Sequence, residues 1–188
     1  MGSDSEKAKI YGDKRGLIDI IIAKEGIKSP RGVLKFMRSI EYNAPPRDMP
    51  CFTTEEVIQK KKGHCYEQTW LEAEFFKKLG IPYKTWFIDG RNGKGKHPYD
   101  FATHMLLTYN KDGKAYWLEH SWYNYAGIHE YDSAKDMVKD VSRKMLEDYR
   151  NKNIRVVWFP ATYDVGKKTE AIANSYINKE PIYSYTYK

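Results

Sequence analysis

The sequence predicts a single α+β domain over residues 1–188, and three observations support this. Apolar side chains between residues 16 and 79 recur at helical spacings. From residue 83 onward the pattern changes to short segments rich in β-forming residues and bounded by turns. No stretch has the biased composition of a linker between domains. Helices in one part of a chain and antiparallel strands in another are typical of the α+β class.

The composition is that of a folded, aromatic-rich protein. Of the 188 residues, 41% are hydrophobic and 15% are aromatic, which is enough to bury a core. No apolar run approaches the ~20 residues of a membrane span, and the N-terminal segment lacks the apolar core of a signal peptide. We therefore expect a cytoplasmic protein with no membrane partner. Cys51 and Cys65 are compatible with free thiols.

The net charge of +7 favours anionic partners. Its clearest concentrations are "KKK" at 60–62 and "GRNGKGKH" at 90–97, and the general interpretation is a solvated basic surface. Nucleic acid is not an expected partner, because no zinc finger, basic zipper or RNP-type motif is present. The loop at 90–97 precedes a histidine-bearing strand and could admit an anionic substrate.

The first predicted elements are two short helices within residues 16–40. Ser29 is placed to cap the second of them, with Pro30 at its first helical position. A loop is expected at 44–50. Thr53 and Glu56 then form a capping-box pattern, which predicts a helix over 54–62 ended by Gly63.

A longer helix is predicted from Cys65 to Leu79. Gly80 is its expected left-handed terminator, and Pro82 follows. Its apolar residues fall at helical spacings, which predicts a mostly buried helix. These residues are Tyr66, Trp70, Leu71, Ala73, Phe75, Phe76 and Leu79.

The second half of the chain is predicted to be mostly strands. The segments "FATHMLLTY" and "KAYWLEHSW" flank "NKDG" and predict a β-hairpin. A helix with Ala134, Met137, Val138, Val141 and Met145 facing inward is also expected. The remaining predicted elements are a strand at 83–88, this helix from 132 or 133 to 149, a strand at 154–159 ended by Pro160, a helix near 168–177 and an extended segment at 182–187.

Cys65 lies at the start of a predicted helix, where a thiolate is stabilised by free N–H groups and by the positive end of the helix dipole. A thiolate is the form of cysteine that acts as a nucleophile. The alternative is a buried structural cysteine, which is the commoner fate of a free thiol. Helix position alone does not choose between these interpretations. Cys51 is expected to be structural, and His64 to be a loop or capping residue.

The hairpin offers Cys65 two partners. If "NKDG" forms a four-residue loop, His104 lies directly opposite Glu119. If only Asp112 and Gly113 form the turn, His104 lies opposite Ser121 and Glu119 becomes its diagonal neighbour on the same face. A three-residue loop would separate the pair, because a shift of one residue moves every side chain to the other face.

These residues predict a Cys-His-Glu catalytic group. Cys65 would attack, His104 would withdraw and return its proton, and Glu119 would orient the imidazole. The alternatives are a hydrogen-bonded core histidine for His104 and a surface strand residue for Glu119. No cofactor is expected. No catalytic metal is expected either, because no two histidines have the i, i+4 spacing of a zinc-protease motif.

The segments "GHCYEQTWLEAEFFKKLGIPYKTWFI" and "ATHMLLTYNKDGKAYWLEHSW" resemble the core of the transglutaminase-like superfamily. The shared pattern is a glycine before a helix-starting cysteine, a helix ending in a Leu-Gly-Ile-Pro corner, and a hairpin carrying a histidine and then an acid. The resemblance covers residues 63 to about 122. It implies a papain-like α+β fold with Cys65, His104 and Glu119 at the catalytic positions, although the family's usual acid is Asp.

Two further resemblances concern acyl transfer. "GHCYEQ" resembles the nucleophile segment of arylamine acetyltransferases through the spacing of Cys65 and Glu67. The backbone N–H of Cys65 is the first candidate donor to an oxyanion. Gln59 is the second, since it precedes the cysteine by the six residues that separate the oxyanion glutamine from the nucleophile in papain-type proteases. The alternative is that Gln59 simply faces solvent.

The predicted function is that of a cysteine-dependent hydrolase, either a protease or an amidase, or an acyltransferase. It would act on an amide bond through a thioester at Cys65. The substrate would be a peptide, a protein or a small amide, and the basic loop favours an anionic one. The alternative is a catalytically inactive transglutaminase-like binding module, which the replacement of Asp by Glu119 favours.

Overall fold

A computed structural model describes residues 16–43, 50–92, 103–148, 154–161, 167–168, 171–172, 175–176 and 179–186. In this part of the chain the helices are α1 (Leu17–Glu25), α2 (Pro30–Met37), α3 (Thr54–Lys60), α4 (Cys65–Lys78) and α5 (Ala134–Asp148), with a 3₁₀ turn at Tyr123–Tyr125. The strands are β1 (Glu41–Tyr42), β2 (Lys62–Gly63), β3 (Tyr83–Asn92), β4 (Thr103–Lys111), β5 (Lys114–Glu119), β6 (Gly127–Tyr131), β7 (Ile154–Pro160) and β8 (Tyr183–Thr186).

The architecture is a six-stranded antiparallel sheet with helices on both faces. The strand order is β6-β5-β4-β3-β7-β8, and a separate parallel pair joins β1 to β2. Alternate side chains of the central strands enter different cores: Leu107 and Leu118 pack with α1 to α4, whereas Leu106 and Trp117 pack with α5. The predicted α+β fold, with a helix-start cysteine packed on an antiparallel sheet, is therefore confirmed.

Two of the predicted helix starts are present. The Ser29 hydroxyl accepts a hydrogen bond from the Gly32 N–H at 3.4 Å, and Pro30 is the first residue of α2. Thr53 and Glu56 form the predicted capping box at α3. The predicted end of α3 at Gly63 is wrong, because the helix stops at Lys60 and Lys61 takes the left-handed conformation with φ 55°.

Helix α4 begins at Cys65 as predicted and is followed by Gly80 with φ 67°. His64 caps it: its Nδ1 accepts from the Glu67 N–H at 3.4 Å, and the Glu67 carboxylate accepts from the His64 N–H at 3.1 Å. The side chain of Gln68 donates to the carbonyls of Gly63 at 2.7 Å and Glu41 at 3.2 Å. These contacts fix the segment that leads into Cys65.

The register of the β4–β5 hairpin selects one of the two alternatives that keep the acid near the histidine. Lys111 pairs with Lys114, so Asp112 and Gly113 alone form the turn. Both turn residues have positive φ, 51° and 77°, as a two-residue turn of type I′ requires. The same register brings His104 opposite Ser121, so that Glu119 is its diagonal neighbour.

The structure differs from the sequence prediction in several other elements. Strand β6 was not predicted, β3 extends to Asn92, and Ala134 is exposed although it was expected to face inward. Most of the predicted loop at 44–50 and of the basic loop at 90–97, and half of the predicted helix at 168–177, lies outside the described residues. In the described ranges, no helix combines the length and the apolar character needed to cross a membrane.

Candidate active site

Cys65 is the first residue of α4 and is partly exposed. Its backbone N–H is one of those that an α-helix leaves without an intrahelical acceptor. Among the described residues no acceptor for this N–H is present. A polar atom of a bound molecule could therefore receive this hydrogen bond.

His104 is the second residue of β4 and contacts both of its predicted partners. Its Nε2 lies 2.7 Å from the Oε2 of Glu119. The Cys65 side chain also interacts with the His104 ring and helps to raise the pKa of that ring. Because Nε2 is occupied by Glu119, Nδ1 is the nitrogen left for the thiol. The structure thus brings together Cys65, His104 and Glu119, which we call the His104 cluster.

Glu119 ends β5 with its side chain only 2% exposed, and four donors surround its carboxylate. Oε1 accepts from the Trp122 backbone N–H at 2.7 Å and from the Ser121 hydroxyl at 3.2 Å. Oε2 accepts from the Trp117 indole N–H at 3.2 Å, in addition to His104. A buried carboxylate with this many donors has a fixed orientation, and it fixes the imidazole in turn.

The charges of the His104 cluster stabilise one another. Burial lowers the pKa of His104, but attraction to Glu119, the interaction with Cys65 and the hydrogen bond that the ring donates to Glu119 outweigh it and raise this pKa to about 10. Burial raises the pKa of Glu119, but the His104 charge and the hydrogen bonds outweigh it, and the net result is a lowered pKa. At neutral pH the ring is an imidazolium paired with a carboxylate.

A second carboxyl group, Glu72, lies close enough to respond to both charges. It is buried on α4, seven residues or two helical turns after Cys65. Burial, and then repulsion from Glu119, raise its pKa well above the usual value, while His104 opposes this. Burial therefore favours the neutral form of Glu72. The sequence analysis did not identify it, although its spacing of seven from Cys65 on a buried helix could have suggested it.

A cleft of about 270 Å³ opens beside His104. Two tyrosines stand at its rim, since Tyr42 is 56% and Tyr123 is 89% exposed. Such a cleft gives a substrate direct access to the imidazole. Its full lining is Tyr42, Thr103, His104, Ser121, Trp122, Tyr123, Asn124 and Met145.

Among the described residues, no hydrogen bond or ion pair joins Gln59 or His120 to the His104 cluster. Gln59 is exposed near the end of α3. No contact between it and Cys65 is described, so its role as an oxyanion donor stays a prediction. The Nε2 of His120 bonds to the Ile40 carbonyl at 2.8 Å, which gives this ring a structural contact.

The structure also contains a second group of the same residue types. Cys51, His64 and Glu67 are all buried, with their potential ligand atoms within 4.8 Å of one another, and we call them the His64 cluster. Such a set could hold a metal ion. Glu67 already accepts hydrogen bonds from the backbone of His64 and, at 2.5 Å, from the N–H of Phe52. Burial lowers the pKa of His64, against the opposing effect of Glu67.

Comparisons with known proteins give only distant similarity. No family model matches the chain, and no curated protein matches it. A solved structure of EGTA-treated LapG from Legionella pneumophila is similar at 13% identity and a TM-score of 0.39, covering 92% of this chain and 86% of that one. Another LapG structure from this organism has 13% identity and a TM-score of 0.36, covering 79% and 91% respectively.

Proposed function

We propose that the chain is a transglutaminase-like, cysteine-dependent enzyme that cleaves or transfers the acyl group of an amide. The observation that carries this proposal is the position of His104, which contacts the Cys65 side chain and the Glu119 carboxylate together. The resemblance of residues 63–122 to the transglutaminase-like superfamily supports the same assignment. The four donors around Glu119 support it further, because they allow an acid longer than Asp to hold the imidazole.

In the proposed first half-reaction, the Cys65 sulfur, whose proton has passed to His104, forms a bond to the amide carbonyl carbon. The oxyanion accepts a hydrogen bond from the free Cys65 N–H, with Gln59 as the second candidate donor. The C–N bond then breaks, and the His104 imidazolium gives its proton to the leaving amine. The product is a thioester on Cys65.

In the second half-reaction, neutral His104 takes a proton from water or from a second amine. That nucleophile attacks the thioester carbonyl, the C–S bond breaks, and the thiolate–imidazolium pair returns. Water gives a hydrolase and an amine gives an acyltransferase. Hydrolysis is the simpler outcome, because water requires no dedicated binding site.

Iodoacetamide labelling of Cys65 tests the proposal. Labelling is followed by mass spectrometry between pH 5 and 9 in the parent protein and in the His104→Ala variant. We expect rapid labelling well below pH 8, and a fall of about 100-fold on loss of the histidine. His129→Gln is the matched control, because His129 is a partly buried histidine whose Nε2 bonds to the Tyr125 carbonyl rather than to Cys65.

The alternative is a binding module without turnover. It predicts slow labelling of Cys65 that is the same in the parent, His104→Ala and His129→Gln. That result would contradict the enzyme proposal, because His104 would then not increase the reactivity of the Cys65 thiol.

A further inference from the structure

A second concave surface lies at the opposite end of the hairpin that carries His104. This groove, of about 650 Å³, is lined by α2 and by residues of β4, β5 and β6. Tyr109 lines it and lies five residues from His104 along β4, roughly 17 Å away at the rise of an antiparallel strand. The groove is therefore separate from the cleft beside His104. We call it the α2 groove.

One wall of the α2 groove is a row of positive charges. Arg31 and Lys35 lie on α2 and Arg38 is its C-cap residue, so the three are spaced i, i+4 and i+7, and all are exposed. Within the described part of the chain no ion pair engages any of them, whereas Lys111 and Lys114 both have acidic partners. Lys111 adds a fourth cation, with Asp112 at 4.0 Å from it.

Glu130, the acidic residue that lines the α2 groove, already has partners. The Oε2 of Glu130 accepts a hydrogen bond from the Tyr116 hydroxyl at 3.0 Å, and Lys114 lies 3.9 Å from its Oε1. Glu130 therefore leaves the charges of Arg31, Lys35 and Arg38 uncompensated. The groove presents a net positive wall to an incoming molecule.

The opposite wall of the α2 groove is the part of the sheet that ends at its edge strand, β6. Residues of β4 and β5 line it together with Gly127, Ile128 and Glu130 of β6, which pairs only with β5 among the described residues. An edge strand presents a row of N–H and C=O groups that can pair with another extended chain. This alternation of donors and acceptors matches a peptide backbone, whereas a sugar–phosphate backbone offers mainly acceptors.

The aromatic residues of the groove also favour a peptide over a nucleic acid. Tyr109 is 7% exposed and stacks on Tyr116, with ring centroids 4.9 Å apart and planes inclined by 9°. The face of Tyr109 is thus not available to a nucleobase, whereas binding of single strands relies on exposed aromatic faces.

We propose that the α2 groove binds an acidic peptide segment in an extended conformation along the edge of β6, with its carboxylates facing Arg31, Lys35 and Arg38. Alternate side chains of an extended peptide lie about 6.8 Å apart, close to the 5.4 Å between successive turns of α2. Two or three carboxylates on one side of the peptide can therefore meet successive cations. The proposal does not depend on catalysis at Cys65.

The test uses a fluorescein-labelled decapeptide of alternating Glu and Thr, with binding measured by fluorescence anisotropy at about 0.15 M salt, where long-range charge effects are screened. Replacing Arg31, Lys35 and Arg38 together by Glu is expected to weaken binding at least about tenfold. The matched control replaces three exposed lysines outside the groove, Lys24, Lys135 and Lys139, by Glu. This change in net charge is identical and is expected to alter binding less than about threefold.

Three further measurements decide the outcome. Circular dichroism verifies folding, and replacement of the same three cations by Gln is used if charge reversal unfolds the protein. A peptide N-methylated at alternate residues keeps the charge but loses backbone donors, so it is expected to bind at least several-fold more weakly. Binding must persist in Cys65→Ala, which separates this proposal from the enzymatic one.

Equal losses in both triple variants, equal affinity of the N-methylated peptide, or tighter binding of a ten-nucleotide oligothymidylate at the same groove would overturn the proposal.

Discussion

The His104 cluster and the His64 cluster contain the same three residue types and meet at the start of one helix, yet their charges differ. In the His104 cluster the carboxylate faces the imidazole directly, at 2.7 Å, and the histidine pKa rises to about 10. In the His64 cluster the carboxylate accepts hydrogen bonds from backbone N–H groups, and burial lowers the histidine pKa.

The difference shows that the contacts of the acid decide the role of the group. Glu119 orients an imidazolium next to a partly exposed thiol, an arrangement suited to proton transfer. Glu67 joins the loop at Phe52 to the first turn of α4, an arrangement suited to holding the helix start in place. Composition alone would not separate the two groups.

The largest expected effect comes from replacing Glu119 and Glu67, in separate variants, by the uncharged Gln. Glu119→Gln removes the charge that stabilises the His104 imidazolium, so Cys65 labelling by iodoacetamide at pH 6.5 should fall by about 100-fold, as on loss of the histidine itself. Glu67→Gln should change it by less than about threefold. Rates are measured by mass spectrometry of the labelled peptide. Similar losses in both variants would contradict the separate roles of these acids.

Removal of Glu67 should affect stability more than reactivity. Glu67→Ala leaves the buried N–H groups of Phe52 and His64 without an acceptor, at a cost of about 2–4 kcal/mol in the free energy of unfolding. Urea denaturation measures this cost. Glu67→Gln retains one acceptor oxygen and should lose less. An Ala variant as stable as the parent would show that the loop and the helix are held by other contacts.

The two histidines should give opposite pH dependences of stability. His104 has a raised pKa, so its contribution is complete below pH 6.5 and is lost as the pH rises towards about 10. His64 has a lowered pKa, so its contribution is present above pH 6.5 and is lost as the pH falls.

Urea denaturation between pH 5 and 10 should show this difference in the variants. His104→Gln should remove at least about 1.4 kcal/mol of the alkaline loss, the equivalent of one pKa unit. His64→Asn should reduce the acid loss instead. Parallel pH profiles in the two variants would contradict the opposite shifts.

The smallest expected effect comes from removing a helix cap that lies outside the His64 cluster. Thr53→Ala removes the side-chain cap of α3, whose capping box contains no residue of the His64 cluster. It should cost about 1 kcal/mol in the free energy of unfolding and leave Cys65 labelling unchanged. A cost as large as that of Glu67→Ala would mean that capping alone explains the stability effect of Glu67.

Local signals explain what could be predicted from the sequence. Ser29, Thr53 with Glu56, and Gly80 act within one helical turn, so their roles follow from neighbouring residues. To predict the register of the hairpin, the length of its turn must also be known. Both interpretations that kept Glu119 beside His104 were compatible with the sequence, and the positive φ of Asp112 decided between them.

Long-range packing explains what could not be predicted. The burial of Glu72 and the contact between Glu67 and Phe52 depend on segments that meet only in the folded chain. Strand β6 was missed because its residues are nearly all partly buried, so no alternation of apolar and polar side chains marks it. The oxyanion role of Gln59 stays a prediction.

Trp122 gives the His104 cluster a spectroscopic reporter. Its ring lies edge-on to the His104 ring with centroids 5.3 Å apart, its backbone N–H bonds to Glu119, and its indole N–H donates to Asp148 at 2.8 Å. In protein labelled with 5-fluorotryptophan, the ¹⁹F resonance that Trp122→Phe removes should therefore shift as the pH passes through about 10. The protonation of His104 could then be followed in the intact protein before any substrate is known.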